Sequence, residues 1–198
     1  MRTFIILLMM SALGLFMTQC RDISAESNTA NKVTYGQFES QVDWGQHLVT
    51  VSACHDCHSP KNPKGHGLEL DSTRLLSGYG PGDPEPDADL REVREKGKVV
   101  TTGSLTSWAG PWGVSYAANL TSDATGVGNW TEEQFMTALR KGKYHGLENA
   151  RDLLPPMPWQ MYRNFTDEEI SAIFAFLKST KPVRNIVPAP RTADDPGV

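Results

Sequence analysis

Cys54-His55-Asp56-Cys57-His58 sets two thiols three residues apart, with an imidazole directly after the second. At this Cys-x-x-Cys-His spacing, two cysteines on one helical turn can each form a thioether with a haem vinyl group, and the next histidine comes to lie under the iron. Three other readings compete: half of a zinc site, a thioredoxin-like redox pair, and chance. A four-ligand zinc site needs a second pair of ligands at knuckle spacing, and the sequence has no other Cys-x-x-Cys and no His-x-x-x-His.

A haem iron held by one histidine needs a sixth ligand or an open position, and that choice separates electron transfer from catalysis. Met1, Met9, Met10 and Met17 fall in an apolar leader, which leaves Met136, Met157 and Met161. Met136 follows Phe135 in a helical pattern, where packing explains it better. Met157 sits in Leu154-Pro155-Pro156-Met157-Pro158-Trp159. Its prolines bar a helix and fix the backbone around one projecting thioether, as a rigid axial-ligand loop requires. Met161 is the fallback ligand, more plausible as a packing residue. His47, His66 and His145 are rival ligands, each better read as surface or packing side chains, and His55 should point away from the iron. Met157 is therefore the expected partner of His58.

Three helices should position these groups. The first is expected from about Ser40 to the cysteines, with Ser40 and Asp43 as a capping box and Trp44, Leu48 and Val51 as its apolar stripe. The second starts at Thr131, capped with Gln134, and runs through Phe135, Ala138 and Leu139 to Gly142. The third has Thr166 as N-cap with Glu169 three residues on, and Ile170, Ile173, Phe174 and Leu177 as a stripe ending before Pro182. Residues 99–102 are expected to form a short strand beside residues 114–116. Residues 60–115 otherwise read as a long irregular region whose acidic block (Asp83, Glu85, Asp87, Asp89) suits a solvated loop. The Pro-rich stretch 182–198 lacks periodicity and should lie over the surface or be partly disordered.

Arg2 and the apolar run from Phe4 to Met17 form an export signal too short for a membrane span of about 20 residues. Cys20 stands where a lipoprotein signal ends, although Gln19 and Met17 depart from that pattern; ordinary cleavage after Ala25 is the alternative. Either way no cysteine remains for a disulfide. The chain has 198 residues and a net charge of −4, enough for one domain and an argument against nucleic acid as a partner. The expected organisation is residues 1–20 as signal peptide, 21–37 as polar linker, 38–181 as the functional domain and 182–198 as tail.

The chain resembles the bacterial monohaem class I c-type cytochromes, and is similar to the haem domains of cytochrome subunits of membrane-bound alcohol and sugar dehydrogenases. The resemblance rests on His47-Leu48-Val49 leading into Cys54 to His58, on Gly110-Pro111-Trp112-Gly113, Asn119-Leu120-Thr121 and Gly126-Val127-Gly128-Asn129-Trp130-Thr131. It continues in Leu139-Arg140-Lys141-Gly142, Pro156-Met157-Pro158-Trp159 with Tyr162, and Thr166-Asp167-Glu168-Glu169-Ile170. It implies a mostly α, class I cytochrome c-like fold around one covalent haem c, with first and last helices crossing and residues 60–115 as a loop-rich insertion. It also implies that Cys54 and Cys57 bind haem, that His58 and Met157 ligate iron, and that Gly45 lets Phe174 approach. Trp112, Tyr116, Asn119, Arg140, Trp159 and Tyr162 are candidates to wall the haem or bind its propionates.

The function that follows is one-electron transfer between redox proteins on the periplasmic side of a bacterial cell envelope. The partners would be a dehydrogenase or a respiratory complex, and a lipid on Cys20 would tether the protein to a membrane; a soluble periplasmic protein is the alternative. A haem enzyme or gas sensor with a displaceable distal ligand is the second reading. A zinc-binding lipoprotein is the third.

Overall fold

The computed structural model describes residues 35–192. The expected signal peptide, Cys20 and most of the linker lie outside the described residues, as do residues 193–198 of the tail. Among the described residues, no helix is long and apolar enough to cross a membrane.

Helix α1 covers Gln41–Val51, with extended Ser40 accepting the Asp43 N–H at 3.1 Å. Its inner face is Gly45, Leu48 and Val49, whereas Val51 is 61% exposed. Leu48 and half-buried Trp44 pack on the main cluster as expected, and the stripe departs only at Val51, in place of which Gly45 and Val49 are buried where α1 meets the last helix. The helix also stops earlier than expected. Ala53 turns left-handed (φ 58°), and a separate helical turn, α2 (Cys54–His58), carries the cysteine motif in a new direction.

Helices α4 (Glu132–Lys141) and α6 (Asp167–Ser179) match the sequence expectation. Each opens with a capping box, Thr131 with Gln134 and Thr166 with Glu169, which satisfies amides that a helix start leaves unpaired. Helix α4 ends at left-handed Gly142, where a side chain would strike the Trp159 ring. Helix α6 buries Ile170, Ile173, Phe174 and Leu177 against Leu48, Val49, Phe135 and Leu139. Each such side chain contributes about 1.5–3 kcal/mol on leaving water. At the α1/α6 crossing, a Cβ on Gly45 would run into the Ala172 carbonyl and lie 2.9 Å from Phe176 Cβ. The close approach is therefore by Ala172 and Phe176, to either side of the Phe174 expected.

Residues 60–115 are far more regular than a solvated loop. A hairpin of β1 (Lys61–Lys64) and β2 (Gly67–Leu70) follows the cysteine motif directly. Helix α3 (Leu90–Lys96) is capped by Asp89, whose carboxylate accepts the Arg91 N–H at 2.8 Å. A three-stranded antiparallel sheet then runs in the order β3 (Val100–Thr101), β4 (Ser107–Gly110), β5 (Gly113–Tyr116). Residues 99–102 do not pair with 114–116 as expected. Strand β4 lies between them, with Val100 opposite Ala109 and Ala109 opposite Val114. The acidic block is largely engaged: Asp83 pairs with Arg74 at 3.1 Å, Glu85 with Arg191 and the Tyr116 hydroxyl, and Asp89 caps α3.

The described part of the tail is tied down. Asn185 is buried and donates to the carbonyls of Ser77 and Tyr79 at 2.6 and 2.8 Å, and Arg191 forms a two-bond antiparallel bridge with Val114. One short further helix, α5 (Trp159–Tyr162), follows the proline-rich loop.

Candidate functional site

After left-handed Ala53, α2 packs Cys54 against the main apolar cluster and buries His58 at its last position. Neither Cys54 nor Cys57 is in a disulfide. Burial pushes the Cys54 thiol up to about 12 and raises that of Cys57, so both groups stay protonated at neutral pH. The His58 ring lies 2.7 Å, through Nδ1, from the Ala118 carbonyl oxygen. A carbonyl only accepts, so Nδ1 carries the proton and Nε2 keeps its lone pair. Burial lowers the His58 pKa against the opposing pull of that carbonyl, which leaves a neutral imidazole with one defined donor atom. The backbone is fixed as well: Gly78 N–H donates to the His58 carbonyl at 2.8 Å.

His55 turns to Ser59, with 2.9 Å between Nδ1 and Oγ, and buried Ser59 also accepts the Leu76 N–H at 2.9 Å. Lys61 braces the same turn by donating from Nζ to the carbonyls of Asp56 and Ser104 at 2.5 and 2.7 Å. Neither Lys61 nor Ala118 stood out in the sequence. Their contacts run to or from backbone carbonyls, which every residue has, so residue type gives no signal.

Met157 is half-buried and packs on the cluster that Cys54 also meets, together with Leu120, Trp130 and Tyr162. A cavity of about 270 Å³ runs along its loop, lined by Leu153, Pro155, Pro156, Met157, Pro158, Trp159 and Gln160. The Tyr162 hydroxyl donates to the Ser52 carbonyl at 2.6 Å, joining the end of this loop to the start of the cysteine turn. Trp159 lies over Gly142 and so positions the loop against the end of α4.

The other candidates separate. Trp112 donates to Ser115 Oγ at 3.1 Å, and Ser115 Oγ donates to the Pro155 carbonyl at 2.6 Å, so Trp112 reaches the methionine loop through an unforeseen serine. Tyr116 instead lies against Tyr79 in a tilted pair, with centroids 4.7 Å apart, and donates to Glu85. Asn119 is a buried structural hub, bonded to Thr121, Thr125 and the Val183 carbonyl. Arg140 bonds the Arg163 carbonyl and Asp167 at the start of α6. Both are engaged by structural partners.

Met136 packs on the main cluster as expected, but Met161 is 67% exposed and therefore not a packing residue. His47 stacks on Phe38, His66 is exposed in the β1/β2 turn, and His145 lies against Trp130 and Tyr144. Among the described residues, no three His, Cys, Asp or Glu side chains converge on a point fit for a metal ion.

The donor set is two free thiols on one turn, a neutral imidazole with a free Nε2, and a thioether on the cluster that one of those thiols touches. It suits a covalently tethered iron macrocycle. No model of a known protein family matches the chain. Over 85 residues, 41% of this chain, it is 39% identical to the fructose dehydrogenase cytochrome subunit of Gluconobacter japonicus, of which the match covers 16%. Over 80 residues (40% of this chain) it is 38% identical to a nicotinate dehydrogenase component from Pseudomonas putida, covering 6% of that protein. Over 116 residues (50% of this chain) it is 32% identical to the cytochrome c subunit of the quinone alcohol dehydrogenase of Gluconacetobacter polyoxogenes, covering 24%. The chain thus spans no more than about a quarter of the length of these relatives. Within the matched segments it is similar to cytochrome c subunits of dehydrogenases, the class its motifs resemble.

Proposed function

We propose that residues 38–181 form a class I cytochrome c-like domain that holds one haem c and transfers single electrons. Cys54 and Cys57 would hold the haem through thioethers, each protonated thiol adding across a vinyl group with its hydrogen passing to the other vinyl carbon. His58 Nε2 and Met157 Sδ would be the axial ligands. Bound haem supplies a one-electron iron couple, and His/Met ligation with burial sets its potential above that of bis-histidine sites. The protein's share is positional: the Ala118 carbonyl fixes the imidazole's tautomer and orientation, and the apolar cluster keeps water from the ligand side.

The observation that carries this reading is the Nδ1 to Ala118 carbonyl bond, which leaves a buried neutral imidazole with one free donor beside two unpaired thiols. The similarity to dehydrogenase subunits supports a dehydrogenase as electron donor, with a respiratory component as acceptor. Filled axial positions leave no place for a substrate on the iron, so the chain serves as an electron carrier within or beside an oxidoreductase. Residues 1–20 as signal peptide, a lipid on Cys20 and a site of action at the periplasmic face of a membrane complete the proposal.

Expression with a haem-maturation system should give a c-type alpha band on reduction. Met157→Ala should change the ferric iron from low-spin to high-spin, and an unchanged spectrum would remove Met157 from ligation. A wild-type iron already high-spin would favour the enzyme or gas-sensor reading.

A further inference from the structure

The methionine loop has an anchoring problem built into its sequence. Pro155, Pro156 and Pro158 have no N–H, so the backbone around Met157 can be held mainly through its carbonyls, by donors from elsewhere. For the Pro155 carbonyl that donor is Ser115, a buried residue of β5 whose Oγ donates at 2.6 Å while it accepts the Trp112 indole N–H at 3.1 Å. Three residues further along the chain, the Ala118 carbonyl accepts Nδ1–H of His58 at 2.7 Å. The backbone between them is pinned from both sides at Ala117, whose N–H donates to the Thr106 carbonyl at 2.8 Å and whose carbonyl accepts the Tyr79 N–H at 2.9 Å.

From this geometry we infer that residues 112–118 form a bracket that holds the two ligand segments in fixed relation, with Ser115 as the positioning residue for Met157. The inference rests on the haem reading for its consequence, since the two segments then lie on opposite sides of one iron. It assigns a role to the insertion, whose three-stranded sheet keeps the bracket straight by pairing Ser115 with Trp108 and Val114 with Ala109. Ser115 touches neither ligand. It acts through Pro155, two residues before Met157.

Removing the hydroxyl leaves a loop carbonyl without its donor and an indole N–H without its acceptor, while the histidine side is untouched. In the haem-loaded ferric protein, imidazole competes with Met157 for the iron. Ser115→Ala should bind imidazole about tenfold more tightly than wild type, the scale of one buried hydrogen bond lost from the competing state. Ser115→Thr, which keeps a hydroxyl, should restore wild-type affinity. Trp112→Phe, which keeps the Ser115 to Pro155 bond, should fall between and covers the case in which Ser115→Ala fails to fold.

A second readout does not presuppose haem. In methyl-labelled protein as it is produced, the Met157 resonance should move toward its unfolded position in Ser115→Ala while that of Met136 stays put. Wild-type imidazole affinity in Ser115→Ala, or a Met157 methyl that does not move, would overturn the bracket. Failure of the wild-type chain to take up haem under the same conditions would sink the functional reading and leave the methyl measurement to decide the bracket.

Discussion

The helical frame and the insertion are held together by different physics. Helices α1, α4 and α6 meet through apolar side chains, with Phe135 and Phe174 stacked at 5.3 Å, and α4 and α6 begin with caps made by residues three apart in sequence. The insertion has only a small apolar cluster of its own, around Leu90, Ala109 and Val114. It is tied by side chains that reach distant backbone carbonyls: Lys61 to Ser104, Ser107 to Pro84 at 3.1 Å, Ser115 to Pro155. The frame decides where the cysteine turn and the methionine loop sit. The insertion and the residues just after it brace those segments through directed bonds, Lys61 to the Asp56 carbonyl, Ser115 to the Pro155 carbonyl and His58 Nδ1 to the Ala118 carbonyl, because hydrogen bonds carry direction and apolar burial does not.

The sharpest break is at the helix crossing. Gly45→Ala should destabilise the fold by about 3 kcal/mol, because rigid backbone at Ala172 blocks the added methyl. Gly67→Ala, at an open position in the insertion's hairpin, should change the denaturation midpoint little. Equal effects at the two sites, read by chemical denaturation, would erase the distinction between them.

Next in size is the polar hub that joins the insertion's end to the tail. Asn119→Ala removes donors to Thr125 and the Val183 carbonyl and the acceptor for Thr121, and should cost about 2 kcal/mol. Faster amide exchange at Asn185 should accompany the loss. A full loss of stability without change at Asn185 would place the hub's effect inside the frame.

The smallest effect is at Asp71. Its carboxylate accepts from the Thr73 hydroxyl, which contributes most, and from Arg74, and together these hold its pKa well below the ordinary carboxylate range. A depressed folded pKa stabilises the fold at pH above the unfolded value of about 3.9, and that contribution fades as pH falls toward the folded value. The stability gap between wild type and Asp71→Asn should therefore be constant from about pH 5 to 7 and shrink below about pH 4. A gap that stayed constant in acid would mean that the carboxylate's charge does not matter there.

The same contrast explains what the sequence made legible. The capping boxes at Thr131 and Thr166 and the Ile170 to Leu177 stripe are local patterns, and the structure reproduces them. On α1 the expected stripe held at Trp44 and Leu48 and failed only at Val51, because the face toward α6 also includes Gly45, a residue that apolar periodicity ignores. Strand β4 escaped notice because Ser107-Trp108-Ala109-Gly110 is buried along its whole length and so lacks alternation. Cys54, Cys57, His58 and Met157, the residues proposed to hold the haem, stand out by type and spacing. Ser115, Lys61 and Ala118 do not, since their contacts with residues 40, 43 and 60 positions away leave no mark in sequence.

Everything proposed for this chain depends on a covalent haem at the cysteine turn. The most direct test is the intact mass of the chain produced with a haem-maturation system, taken under denaturing conditions after treatment with a thiol alkylating agent. The expected mass is one haem above that of the processed polypeptide, with Cys54 and Cys57 unalkylated, and that adduct is lost in the Cys54→Ala, Cys57→Ala double variant. A haem-free mass with both thiols alkylated would contradict it.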